Sequence, residues 1–405
     1  MENEGLQIEP GKTYRLHLVN VGALSLFHFW IENHNLTIIE VDGVYVAPYS
    51  TAGLDIHVGQ RYSVLVTMNA NPQFNYPIIA AIDDSEGVLK PNATAWLVYN
   101  PNGVNPAPQI LADWYPFDDF LLTPWEFKGV QPPDCNVTFV VQFVTAPADS
   151  PLKTVAPING ISYLPPVTPT MLTAMDAINP WDHYIYGPTT NTYLLRYGDM
   201  VYLIIDNETG GAHPCTFSFY LYSIPSHYIV HLHGHTFQVL YRSPPNTNYS
   251  QDEPYDVPAN PVQRDVLTVY EYGFAIVAFK ADNPGVWFFV LPPPLKYLTL
   301  QHCHIDWHVL MGMIAQFVEA PDMMQRTLQV PEEIRQQCAS RQCQSLHWET
   351  KSNGSSTSQE ISKENGKANG KELDVEDEMA FMFQAYEIES WWNKAVSFLT
   401  RLFLF

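Results

Sequence analysis

His302-Cys303-His304-Ile305-Asp306-Trp307-His308-Val309-Leu310-Met311-Gly312-Met313 gathers one thiol, three imidazoles and thioethers into one short run. Copper in its electron-transfer form takes a trigonal set of two His and one Cys with a weak axial thioether. Cys303, His308 and Met313 supply three of those four donors. Side chains alternate faces along a strand, so His302 and His304 are expected on the face opposite Cys303, placed to bind further metal. A second stretch, His231-Leu232-His233-Gly234-His235, repeats the His-x-His spacing. One such pair alone is weak evidence, because imidazole serves many roles besides metal binding. Its pairing with the Cys-containing run is what makes the signal specific.

The surrounding sequence reads as β. The 405 residues suffice for two or three domains, and 33 Pro, 21 Gly and 13% aromatic residues with little helical periodicity favour a β-sandwich or barrel. Residues 62–67 and 137–143 alternate as strands do. The formal charge of −22 argues against nucleic acid, which needs a basic patch, and suits cationic or neutral partners. Five Cys do not make a disulfide scaffold in a chain this long; Cys338 and Cys343 leave a bridge open in either sense. Asn-x-Ser/Thr sequons at Asn35, Asn92, Asn136, Asn207, Asn248 and Asn353 mildly support a secretory route.

Together, the two His clusters resemble the copper segments of the multicopper oxidases. That resemblance implies an all-β fold of cupredoxin-like Greek-key β-sandwich domains and, in an intact enzyme, four copper ions in type 1, type 2 and type 3 sites. Carried over residue by residue, it makes Cys303 and His308 equatorial ligands of the type 1 copper and Met313 its axial neighbour. His302 and His304 then belong to the type 3 pair, His231 to the type 2 copper and His233 to a type 3 copper.

The family's first type 1 His lies three residues before His231 and precedes Pro; this chain has Tyr228 there. The His-Pro occurs upstream, at His213-Pro214, so the resemblance makes His213 the type 1 ligand and residues 215–229 an insert. Residues 290–301 likewise separate Asn283-Pro284-Gly285-Val286-Trp287-Phe288-Phe289 from His302. Both inserts read as translated introns: Val codons begin GT, Gln can be CAG, and splicing at Cys215 and Val230 permits a Phe that restores His-Pro-Phe-His-Leu-His-Gly-His. His227 is the fallback ligand if the first insert is a real loop.

Residues 11–20, 29–34, 41–43 and 59–62 resemble the middle of the family's second cupredoxin domain. The expected layout is 1–105 as that domain, 106–130 as linker, 131–335 as the third, copper-binding domain, and 336–405 as tail. The first domain's His pairs are absent from this sequence, so by itself the chain is not expected to reduce dioxygen. No signal peptide is visible in residues 1–10. Residues 344–378 read as disordered; 391–405 are apolar but broken by Lys394 and Arg401, short of the roughly 18–20 residues a membrane span needs. The resemblance implies an extracellular or cell-surface location for the intact parent.

Fungal iron-uptake members use carboxylates near the type 1 His to bind ferrous iron, which accepts oxygen ligands. The resemblance points to Glu32, in Phe29-Trp30-Ile31-Glu32, and to Glu208, aligned by a one-residue insertion at Gly210-Gly211. A third family carboxylate has no counterpart: residues 141–145 are apolar, with Asp149 only nearby. An axial Met313 favours a low copper potential, which suits ferrous iron as donor. The expected substrates are dioxygen and Fe2+, with an iron permease as partner of a ferroxidase. A laccase taking phenols or aromatic amines is the alternative, and a non-catalytic copper-binding remnant is a third reading. Arg264, Asp265 and Asp282 read as structural.

Overall fold

Alternation builds the first pair of sheets. In β2 (Thr13–Val19) and β7 (Arg61–Thr67), Leu16, Leu18, Tyr62, Val64 and Val66 are buried, while Arg15 and His17 lie outward. With β4 (Leu36–Val41) and β5 (Val44–Thr51) they form an antiparallel sheet ordered β2-β7-β4-β5. A register shift between Ile38 and Glu40 brings the Glu40 carboxylate to Arg15 and Ser63. The second sheet takes β1 (Gly5–Gln7), β9 (Leu89–Val98), β8 (Tyr76–Asp83), β3 (Phe27–Ile31) and β6 (Gly53–Ile56), in that order, with β1 parallel to β9. Phe29, Leu54 and Ile78 from this sheet share one core with Leu18, Ile38 and Val64 of the other. Each such side chain contributes about 1.5–3 kcal/mol of burial.

The computed structural model describes residues 5–22, 26–83, 89–109, 117–147, 150, 152, 154–209, 228–252, 254–290 and 311–340. His213, His227, His302, Cys303, His304 and His308 lie outside them, as do residues 215–227 and 291–301 and the tail from 341.

Two further sheets follow. One is ordered β10 (Cys135–Val141), β14 (Met200–Asn207), β19 (Phe274–Lys280), β16 (Phe237–Arg242) and β17 (Gln263–Arg264). The other is ordered β13 (Thr192–Leu195), β21 (Ile314–Glu319), β20 (Gly285–Val290), β15 (Tyr228–Leu232) and β18 (Val266–Val269). A two-stranded ribbon, β11 (Val144–Thr145) with β12 (Thr154–Val155), stands apart. Parallel pairs β10/β14 and β13/β21 join strands distant in sequence, and the sheets account for nearly all the regular structure of the described residues, so the expected all-β class holds. Short helices α1 (Thr170–Asp176) and α2 (Pro321–Thr327) pack Ala174 and Met324 with Val318 and Tyr186. A separate unit begins at Val330 and contains α3 (Glu332–Ser340), whose Glu332 and Glu333 complement the helix N-terminal dipole.

The ends of both expected inserts are ladder residues. Ile229 is buried and opposes Thr268, and Val290 opposes both His231 and Ile314. Strand β10 ends at Val141, two residues short of the expected stretch.

The sandwiches meet through charge. The turn between β4 and β5 is Asp42-Gly43, with φ of 46° and 88°, the left-handed pair a tight hairpin requires. It delivers the Asp42 carboxylate to Arg264, whose Nε donates to Oδ2 at 3.0 Å, while the other end of that guanidinium pairs with Asp119. Arg264 is 1% exposed. Arg242 reaches Asp119 at 2.8 Å, and Arg61 forks onto both oxygens of Asp265 at 2.6 and 2.7 Å. Burial pushes the Asp42 carboxyl up, against the pull of Arg264 and Arg61. For Asp119 burial also acts upward, but Arg242 and Arg264 outweigh it and hold the carboxyl well below the usual range. Removing one member of such a group strands buried charge at about 3–5 kcal/mol. Arg264→Met is therefore expected to lower unfolding free energy by about that amount, measured by urea denaturation; a loss under about 1 kcal/mol contradicts this account.

Candidate metal centre

His231 and His233 are two apart at the end of β15, so their rings fall on one side; the centroids are 4.5 Å apart. Residues Val266 and Val290 flank His231 in the neighbouring strands. The His231 Nδ1 lies 2.8 Å from the Asp265 carbonyl, which also accepts from the Leu232 amide at 3.2 Å. A carbonyl only accepts, so Nδ1 carries the hydrogen and Nε2 is the nitrogen presented to a metal. Both rings line a cleft of about 1090 Å³ that also takes in Asn20, Arg61, Lys128 and His235.

The chain turns immediately after His233. Gly234 has φ +74°, and a Cβ there would stand 2.6 Å from the Trp287 indole. The same indole covers Gly285, where a Cβ would meet it at 2.8 Å. Only glycine serves at Gly234, on both backbone and space. Met313 is 1% exposed at the head of β21, anchored by Gly312 (φ +85°), whose Cβ would fall 2.1 Å from Ser162 Oγ. Ala156 N and Ser162 Oγ both donate to the Met311 carbonyl, at 2.8 and 2.9 Å.

Glu32 follows β3, half-buried, and its Oε1 accepts from the Gln109 amide at 2.7 Å. Glu208 is exposed after β14, and its Oε2 accepts from Gln142 Nε2 at 2.6 Å. Burial, then the nearby Glu208, raises the Asp206 carboxyl. Glu32 belongs to the first sandwich and Glu208 to the second; neither lines the histidine cleft. Thus the structure brings His231 and His233 together, and places Met313 in the core. Asp265 and Arg264 are structural as expected, but Asp282 is exposed on the cleft wall rather than buried beneath the sandwich.

Among the described residues no three His, Cys, Asp or Glu converge as a ready metal cage. The donor set still fits copper in part: two adjacent imidazoles, one with its tautomer fixed by a carbonyl, are nitrogen ligands that copper accepts. Sequence reasoning gave no role to His34 or Glu319. His34 Nδ1 donates to the Glu32 carbonyl at 2.8 Å and its Nε2 accepts from Tyr99 Oη at 2.7 Å, across a turn made by Asn33 at φ 56°. The spacing of His34 two residues past the candidate carboxylate Glu32 was the available signal for it; Glu319, in an apolar run, offered none.

Family profiles described as multicopper oxidase match residues 1–102 and 163–323. The chain belongs to the multicopper oxidase family. It is 36% identical over 346 residues to iron transport multicopper oxidase fio1 of Schizosaccharomyces pombe, covering 83% of this chain and 50% of that protein. Iron transport multicopper oxidase FET3 of Gibberella zeae is 34% identical, with 83% and 51% covered. The chain thus spans about half the length of the curated relatives it matches. Among solved structures, Fet3p, described as a multicopper oxidase that functions in iron import, superposes with TM-score 0.71 at 31% identity, covering 83% of this chain and 62% of that one. A laccase from Botrytis aclada follows at 0.67 and 28%, covering 85% and 58%. These likenesses support cupredoxin-like sandwiches and a family of copper-dependent oxidoreductases.

Burial lowers the His34 pKa from its ordinary 6.5, the Glu32 carbonyl opposing weakly. A lowered histidine pKa means the unfolded chain takes a proton that the folded chain refuses. The contribution is complete above pH 6.5 and is lost as pH falls toward the folded value. His34→Gln is expected to flatten the fall in stability as pH drops below 6.5 by up to about 1.4 kcal/mol per pH unit. Urea midpoints of both proteins across that range decide it; equal slopes contradict the assignment.

Proposed function

We propose that this chain is part of a copper oxidase that takes electrons singly from ferrous iron and delivers them to dioxygen. The observation carrying the reading is the His231–His233 pair, side by side on a strand end at the cleft with the His231 tautomer fixed. Its family membership and iron-transport relatives support the substrate. When bound, copper supplies one-electron transfer from the donor and the multi-electron reduction of dioxygen to water.

The chain's own residues hold and orient. His231 and His233 would present ring nitrogens to the type 2 and type 3 coppers, and His302 and His304 would complete the type 3 contribution from the other motif. His213, Cys303 and His308 would hold the type 1 copper, with the Met313 thioether as a further weak donor. Glu32 and Glu208 would receive Fe2+ as substrate, each already ordered by a hydrogen bond. The functional layout we assign is 1–105 and 131–335 as the two sandwiches, joined by 106–130 and followed by a tail. An extracellular or cell-surface setting, with an iron permease as partner, follows from the iron reading. Among the described residues no helix is long and apolar enough to cross a membrane.

Laccase chemistry is the second reading, favoured by one observation: the third carboxylate is missing, and Glu208 finds Gln142 beside it instead. Glu32→Gln in the full-length gene product separates the two. Losing a charged ligand contact of about 1.5–3 kcal/mol should raise the KM for Fe2+ at least about tenfold and leave phenol oxidation unchanged. Equal loss on both substrates, or on neither, removes Glu32 from the iron site. Transcript sequencing across the codons for residues 213–231 and 289–302 is expected to show both inserts spliced out; their persistence in mature message overturns the split-motif assignment of His213.

A further inference from the structure

The ligand assignment leaves His235, the third histidine of His231-Leu232-His233-Gly234-His235, without a task, and it leaves a carboxyl in the core unexplained. Glu319 ends β21 with 0% of its surface exposed. A buried carboxyl is costly unless its oxygens are met by polar partners. Oε1 accepts from the Asn283 amide at 2.5 Å, while Oε2 makes no hydrogen bond among the described residues and faces His235 Nε2 at 2.9 Å in an ion-pair contact, on a ring that is itself almost wholly buried.

Those two partners grip the same turn. His235 Nδ1 donates to the His233 carbonyl at 3.2 Å, and Asn283 Nδ2 donates to the Gly234 carbonyl at 3.0 Å. Trp287 closes the arrangement: its Nε1 donates to the Asn283 carbonyl at 2.6 Å while its ring lies against Gly234 and edge-on to His235. Both peptide carbonyls of the turn that follows His233 are therefore held by residues that meet one carboxyl group, Asn283 through its main-chain amide and His235 through its ring.

We propose that Glu319 is a positioning residue for the copper ligand His233, acting through His235 and Asn283. The inference rests on the copper reading above. Groups that orient metal ligands without touching the metal typically change metal affinity 10–100-fold when altered. Glu319 acts on the main chain next to the ligand rather than on the ligand's ring, so its loss frees the turn and widens the range of ring positions.

The test is titration of the full chain with Cu2+ against a competing chelator, with the Cu2+ EPR spectrum, near-UV circular dichroism and urea midpoint recorded on each variant. Glu319→Gln is expected to keep the native near-UV signal, to raise the copper Kd about tenfold or more, and to broaden or shift the EPR hyperfine pattern. Wild-type affinity and spectrum in Glu319→Gln overturn the proposal. So does a loss of affinity that merely tracks a loss of urea stability, since a purely structural role predicts that. If Glu319→Gln does not fold, Asn283→Ala decides. It leaves the amide contact to Glu319 and removes only the grip on Gly234, and unchanged copper affinity there overturns the proposal. The double variant His231→Ala/His233→Ala serves as reference: undiminished copper binding in it sinks the copper reading itself, whereas loss there with a normal Glu319→Gln sinks only the positioning role.

Discussion

The buried guanidinium of Arg264 is the constraint on which the rest of the arrangement depends. It is almost wholly excluded from water and can exist there only because Asp42 from one sandwich and Asp119 from the connecting stretch meet it. Such a group contributes less to net stability than an apolar contact of equal size, because desolvation offsets attraction. What it enforces is register. Any other docking of the sandwiches leaves a charge buried without its partner, so the relation between β17 and the Asp42-Gly43 turn is fixed. The connecting stretch is held to the second sandwich as well, through Asn260 on the Pro124 carbonyl and Lys128 on Gln263.

That register reaches the histidines directly. Arg264 and Asp265 are neighbours, and alternation sends their side chains to different partners, Arg264 to Asp42 and Asp265 to Arg61. The carbonyl of Asp265 then receives His231 Nδ1, so the residue that secures the interface also chooses the tautomer of a candidate ligand. His233 is held from the opposite direction, by the turn that Glu319, Asn283 and Trp287 stabilise. Two adjacent candidate ligands are thereby positioned by independent parts of the fold. A metal site needs this, because rings that drift by fractions of an ångström lose affinity.

Strand patterning was legible where one face is buried, as in residues 62–67, because period two is a local property. It was less legible in β21, where all six residues are buried and Gln316 and Glu319 sit among apolar neighbours. No alternation survives in a strand covered on both faces. The helices α1 and α2 escaped notice because each is only two turns long. Ile229 and Val290, read as insert residues by spacing to the copper motifs, are paired in the ladders around His231, a relation that depends on strands far away in sequence.

By itself, the sequence determined the donor chemistry and the family: thiol, thioether and imidazoles at strand spacing are covalent facts that no folding alters, and they name the metal class. Only the tertiary structure decided which nitrogen of His231 is presented, why Gly234 admits no side chain, and which buried carboxyl stands behind the turn at His233. Those outcomes depend on Asp265, Trp287 and Glu319, which approach the histidines through strand pairing rather than along the chain. Contacts between distant strands follow from how the sheets close on their cores, and that is a property of the whole packed molecule.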